Sequence, residues 1–251
     1  IKPSRLFPNR KQKGCGSNMA DWVSVHWAKF CSDFYTNLIY ADRWKHLLGG
    51  LGVTLEITLA AILIGTVLGI VLAFMKMSQW RWVRTPAKIY IEIIRGTPTT
   101  VQLLIMYMGV FASVSAPKWI IASLAFGMNS AAYVAEIVRG AVESVDHGQT
   151  EAGYSLGFSK LQTTMRIVLP QAIKIALPTY TSEFIVLLKE TSIAGYIAME
   201  DLTKVASMIT SRTFNAWFPL LTAALLYFIM TFTLSKIFGH LERRLRKSDL
   251  R

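Results

Sequence analysis

Residues 51–75 read LGVTLEITLAAILIGTVLGIVLAFM, an apolar run with one charged side chain, Glu56. That length suffices for a helix to cross a bilayer, which takes about 17–25 residues. Working outward, four more apolar stretches of comparable length follow, at 89–111, 119–138, 172–188 and 217–238. No stretch alternates polar and apolar residues as the strands of a membrane β-barrel do. The pattern predicts an all-α integral membrane bundle with five crossings.

Composition agrees. The chain has 251 residues, 53% of them hydrophobic and 17% charged, against roughly a quarter charged in soluble domains. This excludes a disordered, collagenous or coiled-coil chain and argues against a soluble enzyme. Net charge is +12, from 27 Lys and Arg against 15 Asp and Glu. Because the basic residues flank the apolar runs, the expected partner of that charge is an anionic lipid surface and not nucleic acid. Cys15 and Cys31 make neither a disulfide framework nor a metal-ligand spacing.

Five crossings place the ends of the chain on opposite sides. One side receives 76–88, with Lys76, Arg81, Arg84 and Lys88, the long polar loop 139–171, and a tail carrying Arg243, Arg244, Arg246, Lys247 and Arg251. Near the spans the other side offers Arg43, Lys45, Lys118, Lys204 and Arg212. The positive-inside rule therefore predicts that 139–171 and the C-terminus face the cytoplasm. The basic cluster between Lys2 and Lys13 opposes this from outside the window in which the rule counts.

Three units are expected: an N-terminal segment 1–47, the membrane domain 48–240 and a basic tail 241–251. Residues 1–18 lack periodicity and an apolar h-region, so they are no signal peptide, and Met19 is the expected natural start. In 19–46, Val23, Trp27, Phe30, Phe34 and Leu38 form one helical stripe. It suits a helix lying on the membrane surface or one packed on its own bundle. Gly65 and Gly69, with Ser123, Gly127, Ala131 and Ala135 in the third span, offer small-residue faces for close packing, within the chain or between subunits.

Several chemistries are missing. There is no P-loop GxxxxGK[ST], so ATP is not bound that way by this chain. His26, His46, His147 and His240 are scattered, without metal-ligand spacing; no metal and no cofactor of its own are expected. Gly153-Tyr154-Ser155-Leu156-Gly157 matches the GxSxG of hydrolases. That elbow needs a strand before the Ser, and an acid then a His downstream. Here the preceding residues are helix-like and the remaining His is His240, at the far end of the last span.

The same loop reads better as a docking element. Residues 149–156 form a predicted two-turn helix with Gly157 just past its end. Ser159-Lys160-Leu161-Gln162 is a capping box opening a second short helix. Glu151-Ala152-Gly153, Gly157, then Ile167 and Leu169-Pro170 resemble the EAA loop of ABC importer permeases, with Gly153 replacing the usual Ala. Arg95-Gly96-Thr97-Pro98, Val101-Gln102, Asn129-Ser130-Ala131-Ala132-Tyr133, Glu183-Phe184-Ile185, Lys189-Glu190-Thr191-Ser192 and Leu241-Glu242-Arg243-Arg244 are similar to the polar amino-acid uptake branch of the MetI-like family.

That resemblance implies an inner-membrane permease with no catalysis of its own. Its implied partners are ABC ATPase subunits on the EAA loop, a second permease subunit, alike or different, and an extracytoplasmic substrate-binding protein. Glu151, Ala152, Gly153, Gly157, Leu169 and Pro170 would couple to the ATPase. Arg95, Thr97, Gln102, Asn129, Tyr133, Glu136 and Glu183 would line the path of an amino acid. Among the span charges Glu56, Glu92, Arg95, Glu136, Glu183, Lys189 and Glu190, the acidic excess points toward a cationic or amide-bearing amino acid. Pro98 should break the second span, either to meet a ligand with freed backbone groups or as a kinked helix start. An ATP-independent secondary transporter is the competing class, disfavoured by the EAA-like loop and the lack of an internal repeat.

Overall fold

A computed structural model describes residues 19–246, and side chains over 22–244. The readings made on 1–18 and on the end of the tail lie outside these residues. Among the described residues ten α-helices run in order: α1 Met19–Phe34, α2 Arg43–Lys76, α3 Arg81–Arg95, α4 Thr99–Ile105, α5 Lys118–Glu143, α6 His147–Ser155, α7 Lys160–Thr163, α8 Leu169–Glu190, α9 Leu202–Thr213 and α10 Trp217–Arg246. No strand occurs among the described residues.

The centre of the fold is the crossing of α2 and α5. A Cβ built on Gly69 would lie 2.7 Å from Val134 Cβ, and one on Gly127 2.8 Å from Ile64 Cβ. Neither position has room for a side chain, so the two small-residue faces serve packing within the chain. Close approach supplies dispersion contacts where lipid provides no hydrophobic drive between helices. Ile57, Ala61, Leu103, Phe126 and Leu187 extend the core to α4 and α8.

The helices of the first and third apolar runs are longer than those runs, α2 chiefly at its N-terminal end and α5 chiefly at its C-terminal end, where the flanking residues continue the hydrogen-bond ladder. The first span (51–75 in the sequence reading) begins at Arg43, and the third (119–138) ends at Glu143. The second, read as 89–111, is two helices joined through Gly96-Thr97-Pro98. By length and composition α2, α5 and α10 are each long and apolar enough to cross a membrane among the described residues; α8, with Lys174, Glu183 and Lys189 along its 22 residues, falls short of that measure.

Two features were not anticipated. α9 lies between the fourth and fifth spans, burying Leu202, Val205, Ala206 and Ile209 against Leu47 of α2 and Ala223 of α10. Its N-cap is Asp201, whose carboxylate accepts from the N–H groups of Thr203 at 3.0 Å and Lys204 at 3.3 Å. Asp201 is buried, and that burial pushes its carboxyl up to about 6 despite those bonds. The second feature is the corner between α1 and α2, where Ala41 and Asp42 adopt left-handed backbone angles. α1 touches the bundle through Phe30 and Phe34, whose rings lie 5.6 and 5.9 Å from that of Phe218 on α10. Trp22, Val23 and Trp27 along the rest of its stripe are exposed. Packing on its own bundle thus accounts for the Phe30–Phe34 end of the stripe.

Candidate functional site

The loop between α5 and α8 is built as its sequence dictates. Asp146 caps α6 by accepting from Gly148 N–H at 3.0 Å. Leu156 ends the helix and Gly157 follows with φ +80°, the left-handed turn that glycine adopts without a Cβ penalty. Ser159 and Gln162 then close both bonds of the capping box on α7. A single turn of wider helix, Thr164–Val168, leads into α8, where Pro170 falls in the first turn. Relative to the reading of 149–156, α6 starts two residues earlier, because Asp146 supplies the cap.

Gly153 is the buried residue of α6. A Cβ there would come 2.7 Å from Thr163 Cγ2 and 2.9 Å from Ile167 Cδ1. The departure from alanine at this position is therefore steric: the hairpin closes too tightly for a methyl group. Glu151 and Ala152 are exposed, as are Tyr154, Leu156 and Leu161. Leu169 is half-buried and Pro170 exposed. Val168 and Ala172 pack with Ala141 and Val145, tying the loop to the end of α5. The arrangement is a short helix held firmly on one side and free on the other.

The second candidate set lies between α3–α4, α5 and α8. Pro98 has no N–H to offer the Ile94 carbonyl, and the Gln102 amide replaces it by donating to Ile94 O at 2.7 Å. The same amide donates to Thr97 Oγ1 at 2.8 Å, and Thr97 Oγ1 donates to Ile93 O at 2.9 Å. Asn129 then donates to Gln102 Oε1 at 2.9 Å. Thr97, Gln102 and Asn129 thus form one chain that seals the break. Arg95 stacks its guanidinium 5.4 Å from the Tyr133 ring centre.

Glu183 receives one hydrogen bond, from Ser130 Oγ at 3.1 Å, and no cation lies within ion-pair distance of it among the described residues. Glu136 is placed differently. Its two oxygens are taken by Lys76 and Arg139, and Arg139 also pairs with Glu143. This makes it a brace between the ends of α2 and α5. Sequence reading missed Lys76 as its partner, because no pattern links residues 60 apart in different helices. It also missed Ser130 beside Glu183, and Tyr180, which bonds Thr66 across α2 and α8.

Residues 65–247 match the family described as the binding-protein-dependent transport system inner membrane component. The L-cystine transport system permease protein of Bacillus subtilis is 35% identical over 211 residues, covering 83% of this chain and 90% of that protein. The histidine/lysine/arginine/ornithine transport system permease protein of Salmonella typhimurium is 33% identical over 223 residues, covering 84% and 94%. The crystal structure of an amino acid ABC transporter with histidines superposes at TM-score 0.76 with 37% identity, covering 92% of this chain and 100% of that one. The inward-facing methionine ABC transporter, at TM-score 0.68 and 20% identity, shares the fold. Nothing in these likenesses supports an ATP-independent transporter. A helical bundle with an exposed capped helix in its longest polar loop, matched over most of its length in this way, belongs to the inner membrane components of binding-protein-dependent transport systems and is the permease subunit of an ABC importer, with no ATPase of its own.

Proposed function

We propose that this permease carries polar amino acids, with cationic or amide-bearing side chains favoured, and that α6 is the docking point of the partner ATPase. The observation that carries the docking reading is the one-sided anchoring of α6. Gly153 is pressed against Thr163 and Ile167, while Glu151 and Ala152 face outward. A push on the free face is transmitted to α8 through Val168 and Ala172 and to α5 through Ala141 and Val145. Gly157, Leu169 and Pro170 keep the geometry of that linkage.

The two named relatives are permeases for L-cystine and for histidine, lysine, arginine and ornithine. Their shared requirement is recognition of a zwitterionic backbone, and Glu183 adds an acceptor without a resident cation. Thr97, Gln102 and Asn129 support the path by bracing the helix break at fixed geometry, and Arg95 with Tyr133 borders it. Two permease subunits, an extracytoplasmic binding protein and cytoplasmic placement of both 139–171 and the C-terminus complete the assembly.

Reconstitution with the ATPase encoded nearest to this chain tests the reading. The pair is expected to co-purify from detergent, and Glu151→Lys is expected to abolish both co-purification and ATP-driven uptake. Uptake down an ion gradient by the chain alone would overturn it. For the pathway, Glu183→Gln is expected to lower uptake of a cationic amino acid at least tenfold, about 1.4 kcal/mol or more, with assembly intact.

A further inference from the structure

The corner where α2 gives way to α3 carries chemistry that transport does not use. Viewed down its axis, α3 has three faces. Ala87 and Ile91 are buried. Trp82, Pro86, Ile89 and Ile93, at steps of four, three and four residues, form an exposed apolar stripe, with Trp82 92% exposed. Arg81, Arg84 and Lys88 share the third face, also exposed. Lys88 has a carboxylate near it, Glu92 at 3.7 Å, whereas Arg81 and Arg84 have none within ion-pair distance among the described residues. Trp80 precedes them at 75% exposure, and Arg81, Trp82, Thr85 and Pro86 line a cleft of about 580 Å³.

We propose that this corner binds one anionic phospholipid: Arg81 and Arg84 hold the phosphate, Trp80 and Trp82 lie at headgroup depth, and the Trp82–Ile93 stripe meets the acyl chain. Three properties select that occupant. Guanidinium forks match phosphate oxygens bidentately. Exposed tryptophans beside unpaired arginines suit the membrane–water boundary. The apolar stripe begins at the same residue that lines the cleft, so one amphiphile with a negative head and a tail satisfies both halves. Nucleic acid or an acidic peptide would leave the stripe uncovered. The site does not depend on the transport reading; which leaflet supplies the lipid follows the topology proposed above.

Native mass spectrometry of the full chain, purified with its partner subunits, tests this with phosphatidylglycerol, phosphatidylcholine and inorganic phosphate as probes. Phosphatidylglycerol is expected to be retained over phosphatidylcholine. A basic side chain at an anionic surface is worth roughly fivefold in binding, so Arg81→Gln with Arg84→Gln should weaken retention on the order of 20-fold. Arg81→Lys with Arg84→Lys, which keeps the charge but loses the bidentate forks, should retain more lipid than the Gln pair and less than the parent, and guards against a variant that merely misfolds. Equal retention of the two lipids, retention indifferent to the Gln pair, or displacement by inorganic phosphate as readily as by lipid would each overturn the proposal.

Discussion

Gly153 shows how much one missing methyl group decides. Alanine there would add about 1 kcal/mol of helix preference, yet its Cβ would sit 2.7 Å from Thr163 Cγ2. The clash outweighs the preference, since Thr163 is buried and cannot step aside. Gly153→Ala is therefore expected to reduce ATP-driven uptake, and adding Thr163→Ser, which deletes Cγ2, to restore it. Uptake in the single variant equal to that of the parent would show that the hairpin yields freely. Asp201 offers a test by pH. Its folded carboxyl, at about 6, lies above the unfolded value of roughly 3.9. The contribution to stability is then complete below pH 4 and lost as pH rises through 6. Asn keeps the capping acceptor without the charge, so the melting temperature of Asp201→Asn minus that of the parent should be larger at pH 7.5 than at 4.5. An unchanged gap would sink the assignment.

At the scale of elements, the α2–α5 crossing and the break between α3 and α4 make opposite demands. The crossing depends on absence of side chain. Gly69→Val would overpack Val134, and overpacking costs typically 1–3 kcal/mol, to be read as earlier unfolding in detergent denaturation. The break depends on a side chain that repairs the ladder. Gln102 replaces the donor that Pro98 lacks, so Gln102→Leu should leave the Ile94 carbonyl unpaired at a cost of about 1–3 kcal/mol. Pro98→Ala in that background should recover part of it, measured as the same unfolding midpoint. α9 was legible in principle: Asp201 followed by Leu202, Val205, Ala206 and Ile209 is a cap and a stripe. A 12-residue amphipathic helix is nonetheless far too short to register among membrane spans.

Across the whole molecule, the ion network of Lys76, Glu136, Arg139 and Glu143 ties the ends of α2 and α5 together, one turn before the loop that carries α6. Glu136→Gln is expected to lower stability by about 1–3 kcal/mol, less than the loss from a fully buried pair because these side chains keep partial access to solvent. Lys76→Gln with Glu136→Gln should cost less than the sum of the single changes, as the cycle of four unfolding midpoints would show. The outer faces tell where the protein meets its surroundings. Leu221, Leu225, Phe228 and Phe232 leave α10 apolar and open along its length, as lipid or a second subunit requires.

Hydropathy and cap residues determined from sequence the helical bundle and the capped hairpin of the long loop. These features are local in the chain, and their physics is a property of consecutive residues. The same held for the small-residue faces of α2 and α5, though not for what they face. Tertiary structure decided the rest: that Gly153 fits because Thr163 and Ile167 crowd it, that Glu136 is spent on Lys76, that Gln102 and Asn129 serve the Pro98 break, and that Glu183 meets Ser130 and no cation among the described residues. Each of these depends on partners from separate helices, and only packing determines which side chains meet. A carboxylate reads the same in sequence whether a cation waits across the interface or none does.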